Sequence, residues 1–366
     1  LDQRQIIRIG LVGAGYWGSK LAKEYLSIEE TLGIASLDYV CDAAQSILQG
    51  LSRDLNRPKL KFTTNYKQVL EDKDLDAVHI AVPNEFHYEL ARVALESGKN
   101  VLIEKPMATT SREAFKLARL AEETGCLLQV GHIFRFNNAL RLVKDILKQG
   151  RMGRVYYSSL NWAAYMEPPK NRDIVFDLAP HPVDVLNYLL DEWPIGVDAI
   201  GESFVRGRSG EEEIAFINLE FPDSVLANIY ISWIQQGAKE RRVKVVCEKG
   251  MIDCDALNQT VVVYENESED KRRNGSANVV GGNSLEVVPN NTIRSMQLHF
   301  IERIRGRGPQ FNSALIGAQT VQVLESISQT MRARRNFQLL RLSPSASPLL
   351  ISESAMKAGM SNIDNQ

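Results

Sequence analysis

The run Ile6-Ile7-Arg8-Ile9-Gly10-Leu11-Val12, followed without a break by Gly13-Ala14-Gly15-Tyr16-Trp17-Gly18, constrains this chain more than any other segment. An apolar strand that ends in G-x-G-x-x-G and passes straight into a helical pattern is the opening of a βαβ unit. Gly13 permits the tight strand-to-helix turn, Gly15 lets a pyrophosphate approach the backbone, and Gly18 allows close helix–strand packing. Ala14, Tyr16 and Trp17 fill the intervening positions, and the free N–H groups of the helix start favour phosphate charge. The spacing alone is weak; its place between strand and helix makes it a dinucleotide fingerprint.

Downstream, residues 37–41, 76–82, 100–103 and 126–130 read as further apolar strands, with helical patterns at about 85–96 and 112–124. Such alternation predicts an α/β fold with a Rossmann-type, doubly wound parallel sheet, covered by helices on both faces. After about residue 150 the rhythm changes. A helical pattern at 181–190 is followed by strand patterns at 197–205, 213–221, 225–233, 242–247 and 260–264, joined by short turns. This predicts an α+β domain on an open, mainly antiparallel sheet, completed by helices at 292–305 and 313–334. The expected division is a NAD-binding domain at 1–131, a substrate-binding and oligomerisation domain at 132–340, and a tail at 341–366. The segment 267–282 reads as a surface loop.

With 43 Lys+Arg against 45 Asp+Glu the net charge is −2, without the basic excess of a nucleic-acid or membrane-surface binder. No apolar run approaches the ~20 residues that span a bilayer. Cys41, Cys126, Cys247 and Cys254 are scattered and form no C-x-x-C pair, as expected of reduced thiols. Residues 1–5 lead into a strand pattern rather than an apolar leader, so a cytoplasmic protein is expected. No His, Asp or Glu set has metal-ligand spacing, and no metal is expected.

Three further elements carry chemistry. Asp42, after the second strand, can accept hydrogen bonds from ribose hydroxyls and repel a 2′-phosphate, which predicts NAD over NADP. Glu104-Lys105-Pro106 lies at the carboxyl end of a strand, where open α/β sheets bind ligands. In Asp177-Leu178-Ala179-Pro180-His181-Pro182-Val183-Asp184 the prolines place His181 in a first helical turn, whose dipole disfavours imidazolium and keeps a neutral base. Asp177 can orient that ring, and is equally compatible with a helix cap. Arg135, Lys170, Arg172 and the run Lys239-Glu240-Arg241-Arg242 offer cations to a diphosphate, although each also suits a solvated surface.

In this order the elements resemble the glucose–fructose oxidoreductase/inositol dehydrogenase (Gfo/Idh/MocA) family over residues 5–335. The resemblance implies that Lys105 holds a substrate hydroxyl near a nicotinamide, that Asp177 and His181 form the catalytic pair, and that dimers or tetramers assemble. It also implies that the backbone of the segment Ala81-Val82-Pro83-Asn84, with His87, lines the cofactor. The Asp-Leu-Ala-Pro-His variant, with Gly131 to Asn137 before it, is similar to members acting on sugar nucleotides. It lacks the family's glycine-rich run before the Asp. The expected activity is NAD-dependent oxidation of a ring hydroxyl, with the 3-hydroxyl of UDP-N-acetylglucosamine foremost. Inositol or free sugars as substrates, and a NAD-binding sensor without turnover, are the alternatives.

Overall fold

A computed structural model of the chain describes residues 6–168, 173–207, 211–265, 281–309 and 311–336. Lys170, Arg172, nearly all of the expected loop at 267–282 and the expected tail lie outside the described residues.

The first sheet holds β1 (Ile7–Val12), β2 (Ala35–Cys41), β3 (Lys61–Thr63), β4 (Ala77–Ile80), β5 (Asn100–Ile103) and β6 (Leu128–Val130) in the order β3-β2-β1-β4-β5-β6. Every pair is parallel. Between the strands run α1 (Tyr16–Leu32), α2 (Gln45–Leu55), α3 (Tyr66–Glu71), α4 (His87–Glu96) and α5 (Ser111–Thr124). Ile7, Ile9 and Leu11 are buried on one side of β1 and Val12 and Val78 pack into the core on the other. This two-sided cover is why the strands read as continuous apolar runs. Local signals set the helix ends: the Thr110 side chain accepts the Glu113 N–H, and Gly125 closes α5 in the left-handed region.

After α6 (Asn138–Lys148) come β7 (Val155–Ala163), α7 (Ile174–Leu178), α8 (Pro180–Leu190) and the strands β8 (Gly196–Glu202), β9 (Ile214–Phe221), β10 (Val225–Ser232), β11 (Glu240–Cys247), β12 (Gly250–Asp255), β13 (Thr260–Glu265) and β14 (Asn283–Leu285). They form a second sheet in the order β14-β13-β12-β11-β7-β10-β9-β8. Only the β7–β10 pair is parallel among its described pairings. The fold is therefore the expected α/β arrangement. One face of this sheet packs on α6 and α8 through Leu160, Trp162, Ile217 and Ile229. The other exposes Tyr157, Ile200, Phe216 and Leu226.

Two differences from expectation have physical causes. Strand β7 was not expected, because Tyr156-Tyr157-Ser158-Ser159 breaks the apolar alternation, yet it sits at the centre of the sheet. The late helices α9 (Thr292–Ile304) and α10 (Ala314–Asn336) do not simply complete the second domain. Met296, Phe300 and Ile301 of α9 bury with Ile7 and Leu21 in the first core. Along α10, Ala314, Ala318 and Val321 join the first sheet's core, whereas Leu324, Ile327 and Met331 join the second's.

Candidate active site

The carboxyl ends of β1, β2, β4, β5 and β6 share one edge, and the strand order reverses between β1 and β4. That edge is where an open α/β sheet binds a ligand. Gly13 has φ +99°, and a Cβ there would stand 2.3 Å from the Ala81 carbonyl oxygen. A Cβ on Gly18 would meet the Gly13 carbonyl at 2.0 Å, so both glycines are required by the backbone itself. Gly15 differs: nothing lies within 4 Å of its would-be Cβ. As N-cap of α1 it has no side-chain hydrogen bond, and the first turn carries no acid. A glycine with open space above it, at an uncapped helix start, fits a pyrophosphate.

Asp42 pins this loop. Its Oδ2 accepts the Ala14 N–H at 2.8 Å and its Oδ1 the Ala44 N–H at 2.9 Å. Each oxygen keeps a lone pair, which suits it to ribose hydroxyls. Tyr16 is 80% exposed, with Lys20 donating to its hydroxyl at 2.7 Å. Pro83 and Asn84 begin the turn after β4, but His87 is fully buried. Its Nδ1 lies 2.7 Å from the Pro106 carbonyl and its Nε2 2.9 Å from that of Val82. The expectation that His87 lines the cofactor is corrected by this burial: a neutral ring donates its one N–H to one of the two carbonyls and packs between the β4 turn and the Lys105–Pro106 turn.

Lys105 Nζ donates to the Asp177 carbonyl at 2.6 Å and stands 3.6 Å from Asp177 Oδ1. His181 occupies the first turn of α8, behind Pro180, as the prolines predicted. Burial, and then the positive charges of Lys105 and Arg241, push its pKa well below the ordinary imidazole value. The ring is neutral at pH 7. Its buried Nδ1 has no hydrogen-bond partner among the described residues. The Asp177 carboxylate faces Lys105, and Phe134 meets the imidazole edge-on at 5.2 Å. Phe134 in turn packs edge-on against Trp162 at 5.0 Å.

Arg241 belongs to the same cluster. Its guanidinium is 5.8 Å from the Trp162 ring centroid and donates from Nη1 to the Ala163 and Glu240 carbonyls. Burial pulls its pKa down to about 10, with Asp177 opposing that fall. The neighbouring Arg242 points to the other sheet face and is held bidentate by Asp253 at 2.7 Å. Strand alternation therefore admits only one of the two. Its significance was hidden because it depends on pairing with β7. Arg135 is a second correction. Its Nε bonds Asp184 at 2.7 Å, its Nη2 bonds Asn187 at 2.6 Å and its Nη1 bonds the Phe311 carbonyl at 3.0 Å. This buried guanidinium braces α8 and is not presented to substrate.

A glycine loop on an uncapped helix, an acidic residue at the end of β2, and a lysine beside a neutral histidine define a dinucleotide-dependent oxidoreductase. The chain belongs to the GFO/IDH/MocA family: residues 7–132 match its oxidoreductase NAD-binding Rossmann-fold domain, and residues 140–253 its C-terminal domain. It is accordingly a NAD-dependent dehydrogenase acting on CH–OH. The 1,5-anhydro-D-fructose reductase of Ensifer adhaerens is 28% identical over 235 residues, 61% of this chain and 68% of that protein. The UDP-N-acetylglucosamine 3-dehydrogenase of Acidithiobacillus ferrooxidans is 26% identical over 259 residues, 70% of this chain and 77% of that one. The solved structure of the latter superposes with TM-score 0.76 at 22% identity, covering 90% and 99% of the two chains. A levoglucosan dehydrogenase complexed with NADH and levoglucosan gives TM-score 0.77 at 17% identity, covering 90% and 98%. Those structural likenesses bear on fold alone.

Among the described residues, no group of three or more His, Cys, Asp or Glu is arranged to hold a metal ion. No described helix is long and apolar enough to cross a membrane.

Proposed function

We propose that the chain oxidises a secondary ring hydroxyl of a sugar nucleotide, with the 3-hydroxyl of UDP-N-acetylglucosamine the leading candidate. The supporting observation is the buried Arg241 guanidinium, which with Lys105 makes the pocket around His181 cationic and suited to a diphosphate. Lys105 donates a hydrogen bond to the reacting hydroxyl oxygen, and neutral His181 takes the hydroxyl proton. NAD, when bound, supplies the hydride acceptor, so the carbinol loses one proton and one hydride to give a ketone. Asp177 holds the lysine ammonium in place.

The exposed apolar face of Tyr157, Ile200, Phe216 and Leu226 supports assembly into a homo-oligomer. The free thiols suit a cytoplasmic setting, and the split into cofactor and substrate domains near residue 131 belongs to the same reading. Turnover with NAD on UDP-N-acetylglucosamine, myo-inositol and levoglucosan tests it. The nucleotide sugar should give the highest kcat/KM, and Arg241→Gln should raise its KM by a larger factor than that of either free sugar. A higher kcat/KM on a free sugar would replace this substrate class.

A further inference from the structure

Behind Lys105 lies a buried polar chain that the substrate chemistry does not use. Glu104 follows β5, His79 is on β4, and Tyr25 is on α1; they are 8%, 0% and 1% exposed. The Tyr25 hydroxyl is 3.1 Å from His79 Nδ1, with the rings edge-on at 5.8 Å. His79 Nε2 is 3.4 Å from Glu104 Oε1. On the far side of the carboxylate, a Cβ on Gly131 would stand 2.8 Å from Glu104 Oε2, so that residue's smallness leaves room for the acid.

In one arrangement Tyr25 donates its O–H to Nδ1, and Nε2–H faces the carboxylate. The contacts at the Glu104 end are long. Trp17 Nε1, His79 Nε2 and Glu104 Oε1 are all buried without a full hydrogen bond among the described residues. Burial pushes the Glu104 carboxyl up, but the facing donors of His79 and Trp17 and the Lys105 ammonium outweigh it and hold the acid below its ordinary value. The other titratable groups whose charge bears on this cluster are Tyr25, His87 and His132.

Asp42, which follows β2, would hold the adenosine side of a bound dinucleotide, so that its nicotinamide half would extend toward the ends of β4 and β5. The nicotinamide ring is cationic in NAD⁺ and neutral in NADH. We propose that Tyr25 and His79 are positioning residues that fix Glu104 as a buried negative charge beneath the nicotinamide half-site, and that this charge makes the protein favour NAD⁺ over NADH. A carboxylate on a flexible, solvated side chain would be screened; one locked between β4 and β5 is not.

The experiment measures dissociation constants of NAD⁺ and NADH separately, without sugar, by calorimetry on the full chain. Because no turnover is involved, its outcome is independent of the substrate reading. Glu104→Gln should weaken NAD⁺ about tenfold while changing NADH less than about twofold. His79→Leu should move the ratio in the same direction, and His79→Gln, which returns an N–H where Nε2 stands, should restore most of it. Tyr25→Phe, which removes one oxygen from the core, should shift the ratio less and keeps the test alive if His79→Leu fails to fold. Equal weakening of both cofactors, or an unchanged ratio in Glu104→Gln, overturns the proposal. A shift in Glu104→Gln with none in His79→Leu or Tyr25→Phe overturns the positioning role.

Discussion

Two trios of arginine, aspartate and histidine flank the start of α8, one buried and one partly exposed, and their arginines behave in opposite ways. In the first, Arg135 spends three separate nitrogens on Asp184, Asn187 and the Phe311 carbonyl, while His132 Nδ1 rests 3.7 Å from the same carboxylate. In the second, Arg241 donates from one nitrogen to two carbonyls, Asp177 is engaged by Lys105, and His181 Nδ1 is unpartnered. The residue types are the same. Both trios hold a histidine with ring nitrogens unpartnered among the described residues, Nδ1 and Nε2 of His132 and Nδ1 of His181. What differs is the arginine, since a guanidinium with side-chain partners on several sides is a brace, whereas one tied only to backbone retains donors for a substrate.

His181 is where the two trios should part most widely. His181→Ala should lower kcat by roughly 10²–10⁴-fold with little change in Tm, since a positioned base is lost and no hydrogen bond of the fold goes with it. Steady-state kinetics beside a melting curve checks both halves, and near-normal turnover would remove His181 from the chemistry. Arg135→Ala should do the reverse. It strands Asp184 and should cost about 3–5 kcal/mol of stability, read by denaturant unfolding, while the KM of whatever folds stays near that of the parent.

The smallest effect concerns pH. Burial depresses His132, His181 and His87 below their ordinary value. A histidine neutral in the fold but protonated when unfolded binds more protons in the unfolded state. Stability is therefore full above about pH 6.5 and falls as pH drops below it. Tm should decline by a few degrees between pH 7 and 5, and His132→Gln should flatten that slope. For the same reason kcat should not fall as pH is lowered from 7.5 to 6.5, where an unperturbed imidazole would already be titrating.

Much of this was legible in the chain. The strand, glycine loop and helix at 6–26, the Glu104-Lys105 pair at a strand end and the placement of His181 by its prolines follow from local rules, and local rules survive folding. The errors are non-local. Arg135 looked like a free cation because nothing in its neighbourhood announces Asp184, Asn187 and the Phe311 carbonyl, 49 to 176 residues away. Asp177 was paired with His181 on sequence spacing, which gave no sign that Lys105, 72 residues off, donates to its carbonyl. His79 read as one more residue of a buried strand; only the arrival of Tyr25 and Glu104 on either side gives it a task.

The long helix α10 carries a consequence of its own. With Ala314, Ala318 and Val321 in one core and Leu324, Ile327 and Met331 in the other, it ties together the melting of the cleft's two walls. Losing either sheet strips apolar cover from half the helix, and a helix shortened from one end loses the cooperativity that holds the rest. A break at its midpoint, as in Gln322→Pro, should therefore reach both sheets at once, although no atom of that residue touches the chemistry.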